Sequence, residues 1–155
     1  MNSFEAGTDF PDAWIVWHNC AVDDAWFVRT DSYPAPGGGV SNLRLHTTGF
    51  DGSCNWPGAY AVTPAFTAVP GKTYVVRGWS RNASNVGGTS LLFFDASDQQ
   101  ISYTEVQWPL DAWQYHEDPP VQAMAPAGAT HLRVRLYLAS PGEYADFDLL
   151  SITQE

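Results

Sequence analysis

Short runs rich in Val, Leu, Phe, Tyr and Thr recur along this chain between explicit turn signals, and in several of them, His131–Leu138 above all, apolar residues fall at every second position. A period of two sends successive side chains to opposite faces of an extended strand, whereas a helix repeats its apolar positions every three or four residues. No window of about eleven residues carries the helical spacing. The breakers are Pro34–Gly39, Asp51-Gly52, Pro70-Gly71, Asn85–Gly88, Ala96–Asp98, Pro126–Gly128 and Pro141-Gly142. Each supplies residue types that tight turns need. The pattern predicts strands at 2–6, 13–17, 41–48, 58–69, 73–81, 89–96, 100–106, 112–124, 131–139 and 144–153. With 13 Gly, 11 Pro and one lysine, Lys72, the composition points the same way, to an all-β chain.

A length of 155 residues suits one domain, 1–155, with a core that needs no staples. No repeat, low-complexity tract or linker interrupts it. No apolar run reaches membrane-spanning length, so no membrane partner is expected. The N-terminus lacks a charged-then-apolar leader, and Met1 stands so close to the first motif that the chain reads as a module taken from a longer protein. The net charge of −10 repels phosphate, which makes nucleic acid a poor partner. Cys20 and Cys54 have neither zinc-ligand spacing nor a local histidine partner. The spacing leaves open a single disulfide or two buried thiols.

Alternation assigns faces. In His131–Leu138 the residues Leu132, Val134, Leu136 and Leu138 share the inner face, leaving Arg133, Arg135 and Tyr137 outside. Leu43 and Leu45 point inward with Arg44 and His46 outward. Tyr74 and Val76 point inward with Arg77, Trp79 and Arg81 outward.

Four stretches carry a family resemblance. Asn2-Ser3-Phe4-Glu5-Ala6-Gly7 followed by Asp12-Ala13-Trp14 resembles the opening signature of the carbohydrate-binding modules of families 4, 9, 16 and 22. Ser41-Asn42-Leu43-Arg44-Leu45, Val69-Pro70-Gly71-Lys72-Thr73-Tyr74 and Ala145-Asp146-Phe147-Asp148-Leu149-Leu150-Ser151-Ile152 resemble later strands of the same families, in the same order. Leu149 departs from their pattern, which has a second Asp there. The resemblance implies an all-β jelly-roll sandwich of two antiparallel sheets, one concave and glycan-binding. It implies a monomeric, non-catalytic module of a larger secreted enzyme, holding a polysaccharide or oligosaccharide. Its usual strand order would place 41–48, 131–139, 73–81 and 89–96 in one sheet. Five of the six arginines would then share a face.

On that expectation the glycan-binding residues are Arg44, His46, Arg77, Trp79, Arg133, Arg135 and Tyr137, with Trp56 and Trp108 as further aromatic platforms. Trp14 and Trp113 read as packing residues. Arginine's planar fork pairs with carboxylate or sulfate oxygens, which favours a uronate-containing ligand; a neutral β-glucan, xylan or mannan is the competing class. Asp95, Glu105 and Asp118 are carboxylates placed to pair with these arginines and cancel their field. The resemblance also implies a structural Ca²⁺ away from the glycan face, held by Glu5, the Gly7 carbonyl, Asp148 and a carbonyl of the 36–39 turn. Two rival classes stand beside the binding module. One is a protein-interaction or adhesion domain of the same fold. The other is a small polysaccharide lyase using His46, Tyr137 and Arg135.

Overall fold

Each strand with one apolar face needs a second layer to cover it, and two sheets packed face to face are the simplest solution. The computed structural model describes residues 14–19, 26–30, 35–37, 42–46, 58–82, 87–108, 113–115, 120–139 and 144–155. Its strands are β1 (Ile15–Asn19), β2 (Trp26–Thr30), β3 (Asn42–His46), β4 (Gly58–Val62), β5 (Phe66–Thr67) and β6 (Thr73–Asn82). They continue as β7 (Gly87–Phe94), β8 (Gln100–Gln107), β9 (Gln114–Tyr115), β10 (Val121–Met124), β11 (His131–Leu138) and β12 (Tyr144–Gln154). No helix among the described residues is long and apolar enough to cross a membrane.

The first sheet runs β1-β4-β11-β7-β8, with β5 also on β11; the second runs β10-β6-β12-β3-β2, with β9 also on β6. All pairings are antiparallel. The all-β sandwich of two antiparallel sheets expected from the sequence is the fold observed. Between the sheets, Ala59, Ala61, Leu91, Phe93, Leu132, Val134, Leu136 and Leu138 of the first meet Leu43, Leu45, Val76 and Phe147 of the second. Alternation therefore assigned inner and outer residues of β3, β6 and β11 correctly.

Three expectations need correction. The run 58–69 is not one strand but β4 and the short β5, because Thr63 breaks the ladder and binds Val134 through both its N–H and its hydroxyl. The run 112–124 is likewise divided, into β9 and β10. Strand β2 has no counterpart in the sequence reading, although it pairs along the whole of β3. The strand predicted at 2–6, and Cys20 and Cys54, lie outside the described residues.

The largest correction concerns sheet membership. Strands β3 and β6 belong to the second sheet, joined through β12, while β11 and β7 pair with each other in the first. The pattern of a strand fixes which residues face outward but not which sheet it joins. The arginines consequently divide between two opposite surfaces: Arg44, Arg77 and Arg81 on one, Arg133 and Arg135 on the other.

A bulge interrupts β12 between Asp148 and Ser151, where Leu149 takes a φ of 49°. The extra residue lets Leu150 reach the core. Gly78 on β6 lies beneath it, and a Cβ there would stand 2.5 Å from Leu150 Cδ2. The bulge and the glycine therefore form one packed unit.

Candidate functional site

The two outer faces differ in how their polar groups are used. On the second sheet, Asp146 is fully buried and holds two arginines at once. Arg44 binds it through Nε and Nη2 at 2.7 and 2.8 Å, and Arg81 through Nε and Nη2 at 3.2 and 2.5 Å. Tyr144 lies 3.9 Å beneath the Arg44 guanidinium, and Trp113 and Tyr144 flank that of Arg81 at 5.6 and 5.5 Å. Arg77 is bonded to Thr153 and Glu155 at its strand end, and Trp79 packs on Tyr115 with centroids 5.5 Å apart. His46 ends β3 on this same sheet. These groups are occupied with one another, as parts of the fold are.

On the first sheet, β11 forms the middle of a different surface. Tyr137 pairs with Tyr60 on β4 and with Gly88 on β7. A Cβ on Gly88 would meet the Val106 carbonyl at 2.2 Å and the Tyr137 hydroxyl at 3.0 Å, so only glycine leaves room for this close approach. Two residues along, Arg135 donates to Glu105 at 2.8 Å and to Ser90 at 3.1 and 3.2 Å, while Ser90 donates to Glu105 at 2.9 Å. The Arg135 guanidinium also lies 5.3 Å from the Tyr60 ring. These contacts fix a planar donor, a carboxylate and an aromatic face in one arrangement.

The Tyr137 hydroxyl is the unusual group. The residue is only 5% exposed, and its oxygen makes no hydrogen bond of full geometry, although the Glu105 carboxylate is close enough to act on it. Burial first, and the negative Glu105 second, push its pKa far above the ordinary tyrosine value. Burial raises Tyr60 too, opposed by Arg135. Both phenols stay protonated at any ordinary pH. A buried hydroxyl without a partner costs stability unless a ligand or water completes it.

Farther along β11, Arg133 donates to the Thr63 carbonyl at 3.1 Å, and Val62, Leu92 and Phe94 make an apolar floor beside it. An open depression of about 250 Å³ lies here, rimmed by Asp98 and Gln100. His131 closes this end, stacked on Phe94 at 5.3 Å and bonded through Nε2 to Asp98 Oδ1 at 2.8 Å. Asp98 is carried there by the β7–β8 turn, where its φ is 60° and Asp95 accepts the Ser97 and Gln99 N–H groups. From His131 to Tyr137 the surface runs for roughly 20 Å along the strand.

Of the residues expected from sequence, Arg133, Arg135 and Tyr137 are together on this face. Arg44, His46, Arg77 and Trp79 are on the opposite sheet, so the expected common face is not formed. Trp108 is 1% exposed and part of the core, not a platform. Trp56, Glu5, Gly7 and Asp118 lie outside the described residues. Glu105 does pair with an arginine, as its position suggested. Tyr60, Tyr103 and Phe94 were not singled out. Tyr60 had a legible signal: an outward aromatic between the inward alanines Ala59 and Ala61.

No protein-family model matches the sequence, and no curated protein matches it. Solved structures do match it in three dimensions. One is a family 61 carbohydrate-binding module in complex with β-1,4-galactotriose, at TM-score 0.55 and 12% identity, covering 92% of this chain and 88% of that one. Another is a family 22 xylan-binding domain from Paenibacillus barcinonensis, at TM-score 0.61 and 13% identity, covering 99% of this chain and 90% of that one. The fold is the jelly-roll sandwich seen in carbohydrate-binding modules. The same jelly roll matches part of the enzymatically active domain of tailspike protein 4 from bacteriophage CBA120, at TM-score 0.74 and 13% identity. That match covers 93% of this chain and 20% of the tailspike chain, so the jelly roll spans about a fifth of that protein.

Proposed function

We propose that the outer face of the first sheet binds a polysaccharide without cleaving it. The observation that carries this reading is the juxtaposition of the Tyr60 ring and the Arg135–Glu105–Ser90 network on one outer sheet face, above the buried Tyr137 hydroxyl. Sugar rings pack their C–H patches on aromatic faces, and their hydroxyls need fixed donors and acceptors beside them. Neighbours of the same fold, one in complex with β-1,4-galactotriose and one a xylan-binding domain, support the same reading. The module acts, on this proposal, as the substrate-holding part of a larger secreted enzyme.

The lyase alternative loses its proposed residues. His46 is on the other sheet from Tyr137 and Arg135, and the raised pKa of Tyr137 opposes the tyrosinate form that a base requires. The arginines do not form a cationic trough either, since Arg135 is tied to Glu105, and Arg44 and Arg81 to Asp146. Ligand affinity on this face therefore rests mainly on rings and hydroxyl hydrogen bonds.

Retention on a panel of insoluble and soluble polysaccharides tests the proposal. Binding to at least one, with no product released and no rise in ultraviolet absorbance on uronate polymers, is the expected result. Retention on none would leave the protein-interaction reading. Tyr137→Phe separates the roles of ring and hydroxyl. It is expected to leave stability unchanged or raise it by about 1 kcal/mol, because a buried unsatisfied group is removed. Because the hydroxyl lies beneath the surface, the same change should leave glycan binding within about twofold of the parent. A loss of binding of about tenfold would instead show that a ligand reaches the hydroxyl.

A structural Ca²⁺ remains part of the proposal. Asp148 is fully buried; its Oδ2 accepts the Ala35 N–H at 3.1 Å and its Oδ1 the Leu149 N–H at 2.7 Å. That contact brings the 35–37 turn to a buried carboxylate, whose oxygens are of the hard type that the cation needs. Glu5 and the Gly7 carbonyl are the proposed remaining ligands. The ion would tie the chain start to the last strand and neutralise Asp148, on the sheet opposite the glycan face. Chelator is expected to lower the melting temperature by several degrees while glycan binding persists. An unchanged melting temperature in chelator, together with a silent Glu5→Ala, would remove the metal from the account.

A further inference from the structure

Arg133 differs from the other arginines whose side chains are described. Arg44 and Arg81 bind Asp146, Arg77 binds Glu155 and Arg135 binds Glu105. Arg133 has no carboxylate partner among the described residues and makes one hydrogen bond, from Nη1 to the Thr63 carbonyl. Its guanidinium lies 5.9 Å from the Phe94 ring and lines the depression of about 250 Å³ at the His131 end of the face. In a protein of net charge −10, one guanidinium thus stands beside an apolar floor without a carboxylate partner among the described residues.

A guanidinium held against apolar side chains is less well hydrated than one in bulk water, and an anion gains more from reaching it. Its planar fork presents paired N–H groups at carboxylate spacing. The carboxylate on the rim, Asp98, is directed to His131, and its side chain is 70% exposed, so solvent weakens its opposing field. We propose that this depression receives a carboxylate-bearing unit of the glycan, a uronate, and that Arg133 sets the preference for an acidic over a neutral chain. The proposal rests on the reading of this face as a glycan site.

Affinity electrophoresis with matched polymers tests it: polygalacturonate, alginate and glucuronoxylan, each beside its carboxyl-reduced form, and dextran sulfate beside dextran. The unmodified protein is expected to bind at least one acid polymer about tenfold more tightly than its reduced counterpart, with the gap closing as salt is added. Arg133→Gln should close the gap by lowering affinity for the acid polymer far more than for the reduced one, with the melting temperature as the control for folding. Equal affinity of the unmodified protein for acid and reduced forms overturns this inference while leaving glycan binding intact. So does a preference that survives Arg133→Gln. Tighter binding to dextran sulfate than to every carboxylate polymer overturns the uronate assignment in favour of a sulfate ester. Binding to none of the polymers counts instead against the glycan site itself.

Discussion

Asp146→Asn is expected to destabilise the sandwich by about 3–5 kcal/mol, the range for removing one partner from a buried ion pair. The carboxylate has no solvent exposure, while the side chains of Arg81 and Arg44 are 12% and 24% exposed. An amide of the same shape keeps the packing and removes the charge. Two guanidinium groups then remain over Tyr144 and Trp113 without the carboxylate that both of them bind. For a domain of this size the loss corresponds to a fall in melting temperature of roughly 6–20 °C. Urea unfolding of the variant and of Arg44→Met and Arg81→Met checks it, with the order Asp146, Arg81, Arg44 expected from their burial. A change below about 1 kcal/mol for Asp146→Asn would show that the cluster is held by its rings rather than its charges.

Tyr60→Ala is expected to weaken polysaccharide binding by about 10- to 100-fold, as loss of a central aromatic anchor does at other binding surfaces. The ring offers a sugar its face and also supports Arg135 from 5.3 Å, so its removal loosens the donor fork as well. Tyr60 is half-buried at a strand position that faces outward, so the variant should still fold. Trp79→Ala is the informative contrast. Its ring belongs to the opposite sheet, packed on Tyr115, and affinity should stay within about twofold of the parent. Isothermal titration of both variants, with melting temperatures alongside, reads the two effects separately. Loss of binding in Trp79→Ala with retention in Tyr60→Ala would reverse the assignment of faces.

What could be read from sequence was the local geometry. The period of two in His131–Leu138 placed Leu132, Val134, Leu136 and Leu138 in the core and Arg133, Arg135 and Tyr137 outside, because a strand's pleat allows no other arrangement. The partner of each strand was not readable. The strand order taken from the family resemblance put β3 and β6 beside β11, but β12 lies between β3 and β6 in the second sheet, while β11 has β4 and β7 as its neighbours. Trp79 therefore shares no face with Arg135 and Tyr137. Trp108 misled for a related reason: a tryptophan before a proline looks like a loop platform, yet its backbone N–H donates to the Gly87 carbonyl and the ring fills the core. Glu105 illustrates the opposite case. Carboxylates in an acidic chain are many, and the choice of Glu105 for Arg135 came from the β7–β8 register that puts Ser90 between them. Asp146 was visible only as a strand residue, since two arginines from β3 and β6 meet it after the sheet is assembled.

The central claim is that the first sheet's outer face is the binding surface. The most direct measurement is a chemical-shift titration of the labelled protein with an oligosaccharide of the polymer that retains it. The account predicts that the shifted amides cluster at Tyr60, Ser90, Glu105 and Arg133–Tyr137, on β4, β7, β8 and β11. Shifts centred instead on Arg44, Arg77, Trp79 and Tyr115, on β3, β6 and β9, would contradict it.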